Sequence, residues 1–324
     1  MVLACFFLRE SMLLDTQSVI LDVAAPVLLM IVMGVFLRRI QLINDGFILI
    51  SSRFVFQVSM PALFFFGMLG NNLSGLISVN LAAYFLATIG LTFLFAWLVA
   101  VKLNVPERQR GVFVQIAFRG NCGIFSVALV VNMFGQDGVA LGGVMSGLSV
   151  LLFNILAEII LTRYSHGKLQ LIPVLRSLLK NPLILSIVLG VIANLISLKL
   201  PAFIVKTGSL VGGLSLPLAL VCIGGSLATS GFSLPKHFSM AILCKVALSP
   251  ILFTALGCLL GFSQKELLFL FIFLAAPTAA SAYVTAVAKG DDGKSTANAI
   301  ATTTLVSSII IVVGIPIIIR LTGG

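Results

Sequence analysis

Ala25-Pro-Val-Leu-Leu-Met-Ile-Val-Met-Gly34 and Asn181-Pro-Leu-Ile-Leu-Ser-Ile-Val-Leu-Gly190 are one apolar phrase written twice, 156 residues apart, with Pro and Gly in the same register. The same spacing sets Val58-Ser-Met-Pro-Ala-Leu63 on Leu214-Ser-Leu-Pro-Leu-Ala219, each with a Ser two residues before its Pro. It also sets Asn121 on Pro277, each inside a breaker-rich interruption of an apolar run. A fixed internal period signals a duplicated architecture. In a membrane protein, two halves with interrupted helices at matching positions point to the substrate site of a secondary transporter.

Composition places the repeat in a bilayer. Of the 324 residues 60% are apolar and only 9% are charged, against about a quarter charged in soluble domains. A spanning helix takes about 20 mostly apolar residues. Stretches of that kind fall at 18–37, 46–68, 77–101, 111–133, 139–162, 181–198, 203–229, 238–261, 266–288 and 296–319. Each repeat then holds an odd number of spans, so the second must enter from the opposite side, related to the first by an in-plane pseudo-two-fold axis. The expected fold is an all-α integral membrane protein: ten transmembrane helices as a 5+5 inverted repeat, with broken, crossing fourth and ninth helices. Residues 1–17 form an N-terminal extension, 18–162 the first repeat, 163–180 a cytoplasmic linker and 181–320 the second repeat.

Basic residues orient the bundle. Loops after odd-numbered spans carry Arg38, Arg39, Lys102, Arg108, Arg110, Arg163, Lys168, Arg176, Lys180, Lys236, Lys289 and Lys294, whereas the other face has Arg9, Lys199, Lys206, Lys265 and Arg320. The positive-inside rule puts both termini outside the cytoplasm, in a multi-pass protein of the inner (cytoplasmic) membrane. The net charge of +10 is accounted for by this rim against anionic lipid. Dispersed charges without a basic stripe argue against nucleic acid. Met1–Leu8 lacks a basic n-region and a small-residue cleavage site, so it is read as an interfacial extension rather than a signal peptide.

Five cysteines (Cys5, Cys122, Cys222, Cys244, Cys258) form no CxxC pair, and the two histidines, His166 and His237, lie near loops. A metal site, a disulfide framework or a cofactor is therefore not expected. There is no GxxxxGK[ST] phosphate loop, HExxH or GxSxG, which argues against a nucleotide motor and against an enzyme.

The fourth span reads Val114-Gln-Ile-Ala-Phe-Arg-Gly-Asn-Cys-Gly-Ile-Phe-Ser126. Gly120, Asn121 and Gly123 weaken the helix and permit close backbone approach. The ninth reads Phe273-Leu-Ala-Ala-Pro-Thr-Ala-Ala-Ser-Ala-Tyr283, where Pro277 removes an amide donor and frees carbonyls. Unwound backbone at membrane depth is tolerated where it is buried in protein or lines a watery cavity. The helix breaks are thus expected at Gly120, Gly123 and Pro277. Arg119 and Lys245 place positive charge within the spans, which is costly and usually functional, although a long side chain can also snorkel to the interface. Nine of the ten acidic residues fall at span ends or in loops, Glu158 excepted. A centre that is positive and poor in carboxylates suits an anion and disfavours proton-for-cation exchange. Ser281, Tyr283, Ser295, Asn298 and Thr302 offer neutral polar groups for substrate, ion or interhelical hydrogen bonds.

These residues resemble a known family. Arg-Gly-Asn-Cys-Gly (119–123) resembles the Arg-Ser-Asn-x-Gly element of bacterial auxin efflux carrier family proteins, and Leu274-Ala-Ala-Pro-Thr-Ala-Ala-Ser-Ala-Tyr resembles that family's Pro-Thr-Ala run. Phe54-Val-Phe-Gln-Val-Ser-Met-Pro-Ala-Leu-Phe resembles its second span, and Lys245 followed by Pro250 its eighth. The resemblance runs over residues 18–320 and implies ten spans with two broken helices crossing beside the substrate. It extends to the plant PIN-formed auxin exporters and to bacterial malonate or malate permeases. The family often places a Pro seven residues after the Asn; here Ala128 stands there.

The resulting expectation is a transporter, secondary active or facilitative, moving a small organic anion (a carboxylate) by alternating access, in the direction of efflux. Arg119, Asn121, Gly123, Pro277, Thr278, Ser281, Tyr283 and Asn298 are the expected substrate contacts, with Lys245 as a charge partner. The partners are the anion, the lipid bilayer and a coupling proton or sodium ion, with a homodimer compatible. A sodium-coupled symporter or cation/proton antiporter of the same broad fold group is the alternative, and a non-transporting membrane sensor or scaffold the second.

Overall fold

Local capping chemistry starts the helices. Asn44 Oδ1 accepts from Phe47 N, Ser78 Oγ from Leu81 N and Asn181 Oδ1 from Leu183 N, while Ser263 and Glu266 close a reciprocal capping box. Each removes an orphan amide from a helix start. The computed structural model describes residues 25–69, 78–165, 179–229, 234–289 and 293–322, together with 172 and 176. The expected N-terminal extension, the start of the first span and most of the 163–180 linker lie outside the described residues.

The described chain is α-helical: α1 Ala25–Arg39, α2 Asp45–Met68, α3 Val79–Lys102, α4 Glu107–Phe118, α5 Cys122–Tyr164, α6 Pro182–Leu195, α7 Ala202–Leu227, α8 Phe238–Leu259, α9 Gln264–Leu274, α10 Ser281–Ala288 and α11 Lys294–Thr322. Six helices among the described residues are long and apolar enough to cross a membrane: α2, α3, α5, α7, α8 and most of α11. The 43-residue α5 is not straight. Gly135 takes φ +57° and ψ −130° within it, a conformation that L side chains rarely adopt. A Cβ on Gly138 would run into the carbonyl of Val130, eight residues back. In a continuous helix those residues stand about 12 Å apart, so the 122–134 and 136–164 arms fold back on each other.

Proline shapes two other helices. In α2 the Val55–Ser59 segment widens to i→i−5 bonding, with Met60 N donating to Val55 O; in α8 Cys244–Leu248 does the same, with Ser249 N donating to Cys244 O. Pro61 and Pro250 follow each segment by two residues. A proline ring clashes with the carbonyl four residues back, and a wide turn relieves the clash without ending the helix.

The 156-residue spacing recurs in space. Gln41 and Ser197 both take left-handed φ values, of 62° and 53°, just beyond α1 and α6. Gly34 of α1 meets α7 at Val221 and Gly224; Gly190 of α6 meets α2 at Phe65 and Met68, each contact being the other shifted by 156 with the partners exchanged. Ser59 Oγ and Ser215 Oγ, themselves 156 apart, hydrogen-bond at 3.0 Å. In α3 and α8 the register slips by one, where Thr92 Oγ1 meets Ser249 Oγ at 3.0 Å.

Burial separates the core helices from those that face lipid. Every residue from Gly111 to Phe118 in α4 and from Leu267 to Leu274 in α9 is buried, whereas α3 exposes Leu91, Leu94 and Leu98 on one side. A helix that is buried all round is one surrounded by others. Phenylalanines fill the surroundings: Phe85 meets Phe273 edge-on at 5.6 Å, Phe93 meets Phe118 at 5.3 Å, and Phe269 stacks on Phe273 at 4.2 Å. At one rim Trp97 Nε1 donates to Tyr164 Oη, and the Arg110 and Arg163 guanidiniums sit 5.8 and 5.7 Å from the Tyr164 ring. Amphipathic rings with Arg suit the headgroup level. At the other, Lys265 pairs with Asp137 at 2.6 Å.

Candidate functional site

The two interruptions meet. α4 stops at Phe118 and α5 starts at Cys122; α9 stops at Leu274 and α10 starts at Ser281. Across the gap Asn121 N donates to Pro277 O at 2.7 Å and Ala279 N to Arg119 O at 3.0 Å, with Gly120 and Thr278 forming an isolated antiparallel bridge. Asn121 and Pro277, the residues of the 156-residue match, stand at the centre of this pairing. Gly120 allows the approach: a Cβ there would lie 3.0 Å from Lys245 Nζ and 3.2 Å from Cys122 Sγ.

Buried backbone groups need partners, and the broken end of α9 finds them in side chains. Pro277 has no amide for Phe273 O, and Thr278 N is diverted to Thr303 Oγ1. Ile272 O accepts from Ser126 Oγ, Phe273 O from Cys122 Sγ and Leu274 O from Lys245 Nζ. On the other helix Thr278 Oγ1 donates to Ile116 O. Thr278 is fully buried with its hydroxyl committed to this bond.

Arg119, only 4% exposed, stands at the end of α4. Its Nη2 donates to Asn154 Oδ1 at 2.8 Å, and its Nη1 to Gln115 Oε1 at 3.3 Å and Thr285 Oγ1 at 3.4 Å. Gln115 is held by Thr285, which donates to its Oε1, and by its own Nε2 bond to Ala282 O. Every one of these acceptors is neutral. Neither Arg119 nor Lys245 forms an ion pair with a carboxylate among the described residues. Glu158, one turn beyond Asn154 on α5, pairs with Lys289 at 2.7 Å.

The structure brings Arg119, Gly120, Asn121, Pro277, Thr278 and Lys245 to one crossing. Asn121 is half-buried, and its side chain makes no hydrogen bond to a described residue, not even the cap that its position would allow. Gly123 lies just past the break, in the wide first turn of α5. Ser281 and Tyr283 sit on α10 with exposed side chains, and Ser281 meets the Arg119 network only through its carbonyl, which accepts from Thr285 Oγ1 at 3.2 Å. Asn298 is buried on α11, where its carbonyl accepts from Thr302. Gln115, Asn154 and Thr285 are not among the contacts expected from the sequence. Gln115 stands one helical turn before Arg119, and Asn154 is a lone amide in the apolar run Leu151-Leu-Phe-Asn-Ile-Leu; those were the available signals. One turn beyond Asn121, at Ile124, begins an apolar cavity of about 130 Å3 that is also lined by Met60, Leu63, Val127, Gly212 and Ser215.

A family model described as "Membrane transport protein" matches residues 19–315. An uncharacterized transporter of Methanocaldococcus jannaschii is 23% identical over 306 residues, covering 90% of this chain and 96% of the relative.

Proposed function

The chain belongs to the membrane transport protein family, that of the auxin efflux carriers, and from that premise we propose that it is a transporter, secondary active or facilitative, moving a small organic carboxylate by alternating access, in the direction of efflux. The observation that carries this reading is the pairing of two interrupted helices at Asn121 and Pro277 beside two buried cations that have no carboxylate partner among the described residues. A buried cation without a counter-charge is costly, and an anion that visits the site lowers that cost. Asn121 offers at the crossing a side-chain amide that makes no hydrogen bond to a described residue, and the amides opening α5 add the positive end of a helix dipole. Arg119 supplies positive potential while its neutral partners hold it in place. A guanidinium held by neutral acceptors can turn one face to a substrate carboxylate.

Ten spans arranged as two inverted sets of five make up the scaffold of this proposal. Three features support it: the fold-back at Gly135, the breaks after α4 and α9, and the contacts that exchange partners over 156 residues. α1, α2, α6 and α7, which pack through Gly34, Gly190 and Gly224, form the supporting half; the remaining helices carry the crossing. The basic rim at Arg110 and Arg163 faces the cytoplasm, both termini lie outside it, and the membrane is the cytoplasmic one.

The test is flux in proteoliposomes loaded in turn with malonate, malate, indole acetate and an amino acid, each labelled. Saturable flux of at least one carboxylate, accelerated by unlabelled substrate on the opposite side, is expected. Folded, oriented protein that moves none of them refutes the anion reading.

A further inference from the structure

Lys245 is buried, 4% exposed, inside the wide turn of α8 that Pro250 follows. Its ammonium reaches across to α9 and donates to Leu274 O at 3.0 Å. That carbonyl is the last of the broken helix, where the partial negative charge of the helix dipole collects. In an unbroken helix it would accept from Thr278 N, which instead donates to Thr303 Oγ1. The hydrogens of Gly120 leave the room that Nζ occupies, since a Cβ there would lie 3.0 Å from it. The end carbonyls of discontinuous helices are also the groups that coordinate sodium in transporters of this architecture. An ammonium is a compact point charge with three donors, able to meet the same demand without leaving the protein.

We propose that Lys245 is a tethered cation standing where a coupling sodium ion would be coordinated, so that the crossover carries its own positive charge and the transport cycle neither binds nor requires sodium. This rests on the transporter reading above and separates its sodium-coupled form from its sodium-independent one. It also assigns Lys245 a positioning role, holding the end of α9 against the start of α5, rather than a contact with substrate.

The purified full-length chain is unfolded thermally in choline, sodium and methylammonium chloride at equal ionic strength. The wild type is expected to melt at one temperature in all three. Lys245→Ala, which removes the charge and opens its space, should melt lower in choline and regain part of the loss in methylammonium or sodium. Lys245→Met fills the space without charge and should show the loss without the regain. A wild-type midpoint raised by sodium overturns the proposal, as does a Lys245→Ala protein that folds and responds to neither small cation. Should Lys245→Ala not fold, the wild type still decides: flux that is equal in sodium and choline agrees with the proposal, and sodium-dependent flux refutes it. Absence of any carboxylate flux would count against the transporter reading, while the melting comparison would still test the tethered cation.

Discussion

Replacing Asn121 with alanine separates a substrate contact from a structural part. Its side chain makes no hydrogen bond to a described residue and does not cap α5, while its backbone holds Pro277 O and receives Phe125 N and Ser126 N. Alanine keeps that backbone, so no side-chain bond to a described residue is lost. The change in folding free energy should stay within about 0.5 kcal/mol, the ordinary range for a substitution that touches no packed or paired group. A hydrogen bond from the side-chain amide to a carboxylate is worth about 1.5–3 kcal/mol. Losing it lowers the apparent kcat/KM by roughly 10- to 150-fold at about 1.4 kcal/mol per decade. The assay is the initial rate of carboxylate flux in proteoliposomes at subsaturating concentration, alongside thermal unfolding of the same preparation. Full flux with unchanged stability would remove Asn121 from the site. A parallel fall in flux and stability would make it a structural residue and refute the argument from its side-chain amide.

Arg119→Lys should cut flux by about tenfold or more, because a single ammonium cannot reproduce the planar fork that meets Asn154, Gln115 and Thr285 together; retained flux would reduce Arg119 to a bare charge. Gly224→Ala should destabilise by about 1–3 kcal/mol in thermal unfolding, since its Cβ would strike the backbone carbonyl of Ile31, whereas Gly213→Ala, with open space around it, should be neutral or stabilising. A double-mutant cycle of Ser59→Ala and Ser215→Ala should show a coupling of about 0.5–1 kcal/mol if their 3.0 Å bond ties the two halves together, and simple additivity would show that it does not.

Much of the architecture is legible in the residues because its causes are local. Apolar runs of spanning length follow from composition along a short window. The breaks at Asn121 and Pro277 follow from glycine, asparagine and proline acting on their own backbone, and the 156-residue repeat is written in the order of those residues. The sequence also marks Arg119 and Lys245 as anomalous, since charge within an apolar run stands out without knowledge of its neighbours. What those charges touch depends on groups brought from afar. Asn154 reaches Arg119 across 35 positions, Thr285 across 166, and Leu274 meets Lys245 from the neighbouring broken helix. The break itself lies at Arg119–Asn121, with Gly123 beyond it, because Ala279 and Pro277 supply the hydrogen bonds that the helix gives up there. Thr278 reads in sequence as a polar group free to bind, yet folding commits its hydroxyl to Ile116 O. Ser281 and Tyr283, close to Pro277 along the chain, are carried outward once α10 restarts. Backbone chemistry decides where a helix can break, but only the neighbours that arrive from elsewhere decide which polar groups are used up in holding the break and which, like the Asn121 amide, find no partner among the described residues.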